Sequence, residues 1–180
     1  MRRFLPLLLA LPLAAAAAPT APSSLAVAVT PACCAITFTA YAFGIFPIEG
    51  GFARFEGSLI VPEGGAARAE ARIDAASLSL DGGPIEADVK SPRFLDVSHY
   101  RHIVFSAAAA QPWPLAPGAT LSGSLTIKDV TRPVTLTLRR EEAMVTAEAL
   151  ISRSAFGMTA RPLLAGDTVA IRVTAPITPR

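Results

Sequence analysis

The sequence predicts an all-β domain, an eight-stranded antiparallel β-barrel with a short helical excursion between strands 3 and 4. Apolar and polar residues alternate with a period of two in eight separate runs, which is the pattern of strands that bury one face. Segments rich in proline and glycine separate many of these runs and favour turns. A β-sandwich is the alternative, because it also buries alternate residues of antiparallel strands.

The first three runs come before the helical excursion. In the first run, Cys34, Ile36 and Phe38 share one face. In the third, alanines and Ile73 alternate with charged residues, so one face is apolar and the other is charged. The three predicted strands cover residues 34–41, 53–61 and 67–74.

One segment interrupts this rhythm between the third and fourth runs. Pro84, followed by Glu86 and Asp88, has the composition of the first turn of a short helix. Pro92 removes a backbone donor and disfavours a helical conformation at Ser91, so the helix should end near this point. Five more strand-like runs follow, at residues 103–109, 121–127, 134–138, 143–151 and 169–175.

The amino terminus has the organisation of a cleaved secretory signal peptide. Met1–Arg3 is basic, residues 4–13 are mostly apolar, and residues 14–18 are alanines suited to cleavage. We therefore expect export of the protein. The predicted divisions are a signal peptide at residues 1–18, a flexible linker and strand lead-in at residues 19–30, and the barrel domain at residues 31–180.

The charge balance excludes one class of partner. The full chain carries 16 basic and 14 acidic side chains, which is a formal net charge of +2. Cleavage of the signal peptide would remove Arg2 and Arg3 and bring that net charge to zero. A neutral domain has no general attraction to phosphate groups, so we expect no nucleic-acid partner.

The cysteines and histidines suggest neither a metal site nor catalysis. Cys33 and Cys34 are adjacent, and on a strand their side chains would point to opposite faces. We expect two free thiols, with a strained disulfide between them or a bond between chains as alternatives. His99 and His102 have no neighbouring cluster of cysteine or carboxylate ligands, which predicts surface histidines and no metal. No nucleophile elbow, phosphate loop or dinucleotide motif occurs, so we expect neither catalytic residues nor a cofactor.

Phenylalanine is the residue type that points to a ligand. Nine Phe stand against one Trp and two Tyr, which favours apolar surfaces that need no polar partner. A barrel of eight strands is either filled by side chains or encloses one small ligand. The candidate ligand-binding residues are Phe38, Phe43, Phe46, Phe52, Phe55, Phe94, Phe105 and Phe156.

Several segments resemble a known family. Residues 91–105, which begin Ser-Pro-Arg-Phe-Leu-Asp-Val and end Ile-Val-Phe, residues 123–136 and residues 151–158 resemble signatures of the YceI-like family of bacterial polyisoprenoid-binding proteins. The resemblance implies a lipocalin-like antiparallel barrel in the periplasm that holds a long isoprenoid chain or similar lipid in its lumen. It also favours the barrel over the sandwich. Tyr41 and Ala42 stand where relatives commonly carry a basic residue and a histidine, so a polar contact at the pocket mouth should be missing.

Three hypotheses about function follow. The first is non-catalytic binding or transport of a long apolar lipid, such as a polyisoprenoid or an isoprenoid quinone, in the periplasm. Transient contact with a membrane or a membrane protein, and a homodimer, remain open for this carrier. The second is a filled barrel that docks on a membrane redox complex, with Cys33 and Cys34 as redox groups. An enzyme acting on a lipid has the least support, because no set of acid, base and nucleophile can be named.

Overall fold

The computed structural model describes residues 24–62, 66–80, 83–112, 118–161 and 165–176. The expected signal peptide therefore lies outside the described residues. Within them the chain forms eleven β-strands and one α-helix, α1 (Gly83–Lys90). The strands are β1 (Ser24–Val29), β2 (Ala35–Ala42), β3 (Phe46–Phe52), β4 (Phe55–Pro62), β5 (Ala66–Asp74), β6 (Leu78–Leu80), β7 (His102–Pro112), β8 (Thr120–Ile127), β9 (Val130–Glu141), β10 (Met144–Ser152) and β11 (Ala165–Pro176).

All eleven strands belong to one sheet with the order β1-β4-β5-β7-β8-β9-β10-β11-β2-β3-β6. Every pairing is antiparallel. The prediction of an all-β antiparallel fold is confirmed, and so is the short helix before the fourth predicted strand. The sheet curves like a barrel around one hydrophobic core.

The predicted count of eight strands is wrong, because the described residues contain eleven. Each of the first three predicted strands continues past a bend into another strand: β1 precedes β2, β3 precedes β4, and β6 follows β5. The two parts of each bent strand pair with the two parts of the same neighbouring bent strand. Thus β1 pairs with β4 and β2 pairs with β3, and in the same way β4 pairs with β5 and β3 pairs with β6. The expected linker at residues 19–30 thus contains β1.

Buried Ser77 holds two of these bends together. The β5–β6 bend is a 3₁₀ turn, Ala75–Ser77, and the Asp74 carboxylate caps it by accepting from the Ala76 amide at 3.0 Å. The Ser77 hydroxyl donates to the Asp74 carbonyl at 2.7 Å and accepts from the Arg54 amide at 3.0 Å. Arg54 lies in the β3–β4 bend. The two bent strands therefore change direction at the same level of the sheet.

In strands β8, β9 and β10 the buried residues occupy alternate positions. Val134, Leu136 and Leu138 of β9 are buried, whereas Thr135 and Thr137 between them are exposed. The hairpin between β8 and β9 has a loop of two residues, because β8 ends at Ile127 and β9 begins at Val130. Lys128 and Asp129 both have positive φ, 51° and 63°, as a two-residue type I′ hairpin requires.

Helix α1 covers one end of the sheet and contributes no fully buried residue. The Glu86 carboxylate accepts from the Leu80 amide at 3.1 Å and forms an ion pair with Lys90 at 2.6 Å. The first contact fixes the start of the helix against the end of β6. The helix ends before Ser91 and Pro92, as predicted.

Candidate functional site: an apolar cavity inside the sheet

The curved sheet encloses a cavity of about 1130 Å³. Small-molecule sites commonly measure about 300 to 1,000 Å³, so this space is large for a domain of this size. Most of its lining side chains are aliphatic or aromatic. An elongated apolar molecule would therefore leave water on entering it and meet few polar groups.

Alternate residues of three neighbouring strands build much of the wall. One face of β8, β9 and β10 points into the cavity, and the opposite face points to solvent. Because the period of a strand is two, every second residue belongs to the wall. The buried wall residues from these strands are Leu121, Leu125, Ile127, Val134, Leu136, Leu138, Val145, Ala147 and Ala149.

Five of the eight candidate phenylalanines line the cavity: Phe38, Phe43, Phe52, Phe94 and Phe105. Phe38 and Phe52 lie on neighbouring strands with ring centres 5.8 Å apart. Phe94 is buried and comes from the segment after α1, whereas Phe43 is exposed. A role of these residues in ligand binding stays a prediction.

The other three candidates lie elsewhere. Phe55 and Phe156 are buried in the hydrophobic core and are not part of the cavity wall. Phe46 is exposed and borders a smaller depression next to the cavity, together with Phe43 and Ile85. Burial alone therefore does not distinguish a wall residue from a core residue.

The aliphatic wall was missing from the predicted site. Leucine, isoleucine and valine at alternate positions are the ordinary signal of a strand core, and nothing local marks them as lining an empty space. The inward faces of the predicted strands nevertheless contain these residues. A predicted site that included every inward-facing strand residue, aliphatic as well as aromatic, would have contained most of the wall residues.

The mouth of the cavity lies between the β2–β3 hairpin and α1. Tyr41 and Phe43 of the hairpin and Ile85 of α1 line the cavity and are also exposed. The family resemblance predicted that Tyr41 and Ala42 would leave the cavity mouth without a polar contact. Both residues line the cavity. At these two positions the hairpin side of the mouth carries neither a basic residue nor a histidine.

The tip of this hairpin has an unusual backbone. Phe43 and Gly44 both have positive φ, 51° and 73°, and the Ile45 amide donates to the Ala42 carbonyl at 3.2 Å. A bulky residue in this conformation costs about 1 kcal/mol or more. The turn holds Phe43, Ile45 and Phe46 in solvent, with 62%, 70% and 59% of each residue exposed.

Charged groups surround the opposite side of the mouth. The Asp88 carboxylate of α1 forms ion pairs with Arg161 at 2.9 Å and with Arg93 at 3.5 Å. All three residues line the cavity. Exposed ion pairs of this kind contribute about 0.2 to 1 kcal/mol each. Their clearer effect is to connect α1, the segment after it and the β10–β11 connection.

The cysteines do not lie on a strand, so the expectation that they point to opposite faces is wrong. Residues 31–33 form a turn between β1 and β2, and the Sγ atoms of Cys33 and Cys34 are 2.6 Å apart. The structure contains no disulfide between them. Cys33 is exposed and Cys34 is half-buried.

The histidines occupy separate environments near the start of β7. His99 Nδ1 lies 2.9 Å from the Asp96 carboxylate, and His102 begins β7, opposite Asp74. Across the described part of the chain, no group of three or more His, Cys, Asp or Glu side chains could hold a metal ion.

The model of the YceI-like domain matches residues 28–176 of this chain. The chain belongs to the YceI-like family. The match covers nearly the whole described structure, from the end of β1 to the end of β11. A search of curated proteins gives no match.

Solved structures share this YceI-like fold. BcnA of Burkholderia cenocepacia is 23% identical with a TM-score of 0.69, over 83% of this chain and 99% of that one. A polyisoprenoid-binding domain from Saccharophagus degradans is 14% identical with a TM-score of 0.58, over 86% and 99%. The YCEI protein of Campylobacter jejuni is 15% identical with a TM-score of 0.57, over 72% and 84%.

In this member of the YceI-like family, α1 is too short to cross a membrane, and no other described segment forms a long apolar helix. What the fold provides here is a mostly apolar cavity. Its chemistry suits binding by burial.

Proposed function

We propose that this protein binds a long apolar lipid, such as a polyisoprenoid or an isoprenoid quinone, in the cavity and carries it through the periplasm without catalysis. The observation that supports this proposal is the cavity of about 1130 Å³ with its aliphatic and aromatic wall. Membership of the YceI-like family and the likeness to a protein described as a polyisoprenoid-binding domain agree with it.

Burial alone supplies enough free energy for such binding. Each methylene moved from water into an apolar site contributes about 0.8 kcal/mol, so a chain of about twenty carbons gains about 16 kcal/mol before losses. Association and ordering cost about 4 to 15 kcal/mol. The balance allows tight binding without a polar contact. Selectivity would then depend on the length and width of the lipid more than on its head group.

Export and a periplasmic location rest on the predicted signal peptide at residues 1–18. A lipid carrier must also meet a membrane in order to load and unload. We propose that the tip of the β2–β3 hairpin touches a lipid bilayer transiently, because exposed Ile45 and Phe46 stand beside the cavity mouth. Each side chain could gain about 1.5 to 3 kcal/mol when fully buried, which suits reversible contact.

The filled-barrel alternative has less support. It requires side chains to occupy the lumen, whereas the structure has a large cavity there. An enzyme acting on a lipid would need an acid, a base or a nucleophile beside the bound chain. The charged side chains that line the cavity are Glu70, Asp88, Arg93, Arg153 and Arg161. Asp88 forms ion pairs with Arg93 and Arg161, and Arg153 donates to backbone carbonyls.

A cavity-filling variant tests the proposal. Ala69 and Ala147 line the cavity from β5 and β10, so the double variant Ala69→Phe, Ala147→Phe should exclude part of a fluorescent polyisoprenoid. Each replacement adds six ring carbons to the lumen, so several methylenes of the lipid would lose their burial at about 0.8 kcal/mol each, and we expect affinity to fall by about tenfold or more. Fluorescence titration measures the dissociation constant.

The matched control places the same side chains on the outside. Thr135 and Thr137 of β9 are exposed, and Thr135→Phe, Thr137→Phe should bind like the wild type. Thermal unfolding shows whether each variant is folded. Equal affinity of the filled and wild-type proteins would contradict binding in the cavity.

A further inference from the structure

The turn between β1 and β2 holds two thiols in contact. The amides of Cys33 and Cys34 both donate to the Thr30 carbonyl, at 3.1 and 3.0 Å. The Cys33 thiol lies 3.2 Å from the Ala28 carbonyl, and its sulfur lies 2.6 Å from that of Cys34. Hydrogen bonds to the backbone of β1 and of the turn therefore hold both cysteines in place.

The two thiols differ in access to solvent. Cys33 is exposed, and it is absent from the set of residues packed on the hydrophobic core. Cys34 is half-buried and packs against that core. Cys34 has a packing role in the core. Cys33 lies at the surface and has no such role.

Their acidities differ in the same direction. The hydrogen bond with the Cys34 thiol, and then the bond with the Thr30 backbone, lower the pKa of Cys33. Burial, followed by the hydrogen bond with Cys33, raises the pKa of Cys34 to about 11. The thiolate is the nucleophile in thiol chemistry, so Cys33 is the thiol that reacts first and Cys34 is the one that stays protonated beside it.

We propose that Cys33 and Cys34 form a reversible dithiol site that exchanges with small accessible disulfides. The Cys33 thiolate attacks one sulfur of the external disulfide and forms a mixed disulfide, and the first small thiolate leaves. Cys34 then loses its proton to that thiolate and attacks the Cys33 sulfur. The second small thiolate leaves and takes a proton from solvent. Two protein thiols are thereby oxidised to one disulfide, and one external disulfide is reduced to two thiols.

Covalent geometry predicts that this bond is easily reduced. Neighbouring Cα atoms are about 3.8 Å apart across a trans peptide bond, whereas disulfides usually join Cα atoms about 4.4 to 6.8 Å apart. A bond between adjacent cysteines is therefore strained, and strained exposed disulfides are the labile ones. The site is suited to exchange and not to permanent stabilisation of the fold.

The test uses the purified protein in its reduced form with oxidised glutathione as the external disulfide. We expect intact mass spectrometry to show the loss of two hydrogen atoms, no stable glutathione adduct, and release of two glutathione thiols per chain. Dithiothreitol should restore the original mass. Because the lipid is not involved, this outcome does not depend on the proposed carrier function.

Two serine variants separate the roles of the thiols. Cys34→Ser cannot resolve the mixed disulfide, so it should accumulate one glutathione on Cys33. Cys33→Ser should form an adduct about tenfold more slowly or worse, because the remaining thiol is half-buried and protonated. Thermal unfolding of both variants confirms that they are folded.

Three results would overturn the proposal. They are persistence of both thiols under these conditions, a stable wild-type protein with two glutathione adducts, and oxidation that yields only disulfide-linked dimers. Equal rates for the two single variants would contradict the assignment of Cys33 as the attacking thiol.

Discussion

The guanidinium carbon of Arg153 lies 5.6 Å from the centre of the Phe94 ring, and both side chains are buried at the cavity wall. Arg153 donates to the carbonyls of Gly166 at 2.9 Å, Ala165 at 2.8 Å and Met158. One side chain thus ties the end of β10 to the start of β11 and covers an aromatic wall residue. This contact joins the segment after α1 to the β10–β11 connection at the cavity wall.

Arg153→Met should destabilise the protein. The substitution removes the hydrogen bonds to three carbonyls in a buried site, and we expect a loss of about 3 kcal/mol in the free energy of unfolding. Urea denaturation measures the change. The control is Arg172→Met, since Arg172 is exposed and its pair with Glu148 at 2.8 Å should contribute less than about 1 kcal/mol. Equal losses of unfolding free energy in the two variants would show that the buried hydrogen bonds of Arg153 stabilise the protein no more than an exposed ion pair does.

Gly123 of β8 permits close contact between strands. A Cβ atom at this position would lie 2.7 Å from the Cα of Ala107 in β7, where backbone cannot move aside. We expect Gly123→Ala to cost about 2 kcal/mol, measured by urea denaturation. Gly83→Ala is the control, because a Cβ at Gly83 meets no atom within 4 Å, and its stability should be unchanged or slightly higher. An unchanged midpoint for Gly123→Ala would refute the close approach.

The hairpin beside the cavity mouth should be needed for bilayer contact. We expect Ile45→Ser, Phe46→Ser to lower cosedimentation with phospholipid vesicles by about threefold or more, because two exposed apolar side chains would no longer enter the bilayer. Neither residue lines the main cavity, so lipid affinity in solution should stay at the wild-type value. Separate titration with the fluorescent polyisoprenoid checks this.

The matched control for the hairpin also removes two exposed apolar residues. Leu150 and Ile60, 72% and 43% exposed, lie on β10 and β4, and Leu150→Ser, Ile60→Ser should sediment like the wild type. If this control loses as much vesicle binding as the hairpin variant, the contact is nonspecific and the hairpin has no special role.

Asp167 should make stability depend on pH. Hydrogen bonds from the Ser152 hydroxyl and then the Ser154 amide hold the pKa of its carboxyl below the usual range. A lowered folded-state pKa stabilises the protein above the unfolded-state value of about 3.9, and this contribution is lost as the pH falls through the folded-state pKa. We expect the melting temperature of Asp167→Asn to fall less on acidification than that of the wild type.

The control variant, Ser152→Ala, removes the hydroxyl donor and keeps the Asp167 carboxyl. It should also weaken the dependence of melting temperature on pH, and by less than Asp167→Asn, because the Ser154 amide still donates. A wild-type slope for Asp167→Asn would show that its hydrogen bonds do not couple folding to protonation.

Local alternation was enough to predict most of the fold. Val134, Leu136 and Leu138 could be assigned to one face because a strand repeats every two residues. Strand β3 was missed because Pro47, Gly50 and Gly51 are unfavourable in a strand. Position 50 needs glycine, because a Cβ there would come within 2.7 Å of the Phe38 ring. The local sequence does not reveal this contact, since the two residues lie on separate strands.

The cavity could be predicted only in part for a similar reason. Phe38 and Phe55 have the same residue type and both lie in predicted strands, yet Phe38 lines the cavity and Phe55 belongs to the solid core. Phe55 directly follows the β3–β4 bend, which is held by a hydrogen bond between residues 23 positions apart. Likewise, the contact between Cys33 and Cys34 follows from a turn where the pattern suggested a strand.

The central claim is that the cavity carries a lipid, and extraction tests it most directly. Protein purified from its native source without refolding should yield, by organic extraction and mass spectrometry, about one long-chain isoprenoid lipid per chain. The Ala69→Phe, Ala147→Phe variant should yield much less. Absence of any lipid from the native protein, together with failure of added labelled polyisoprenoid to bind, would contradict the carrier function.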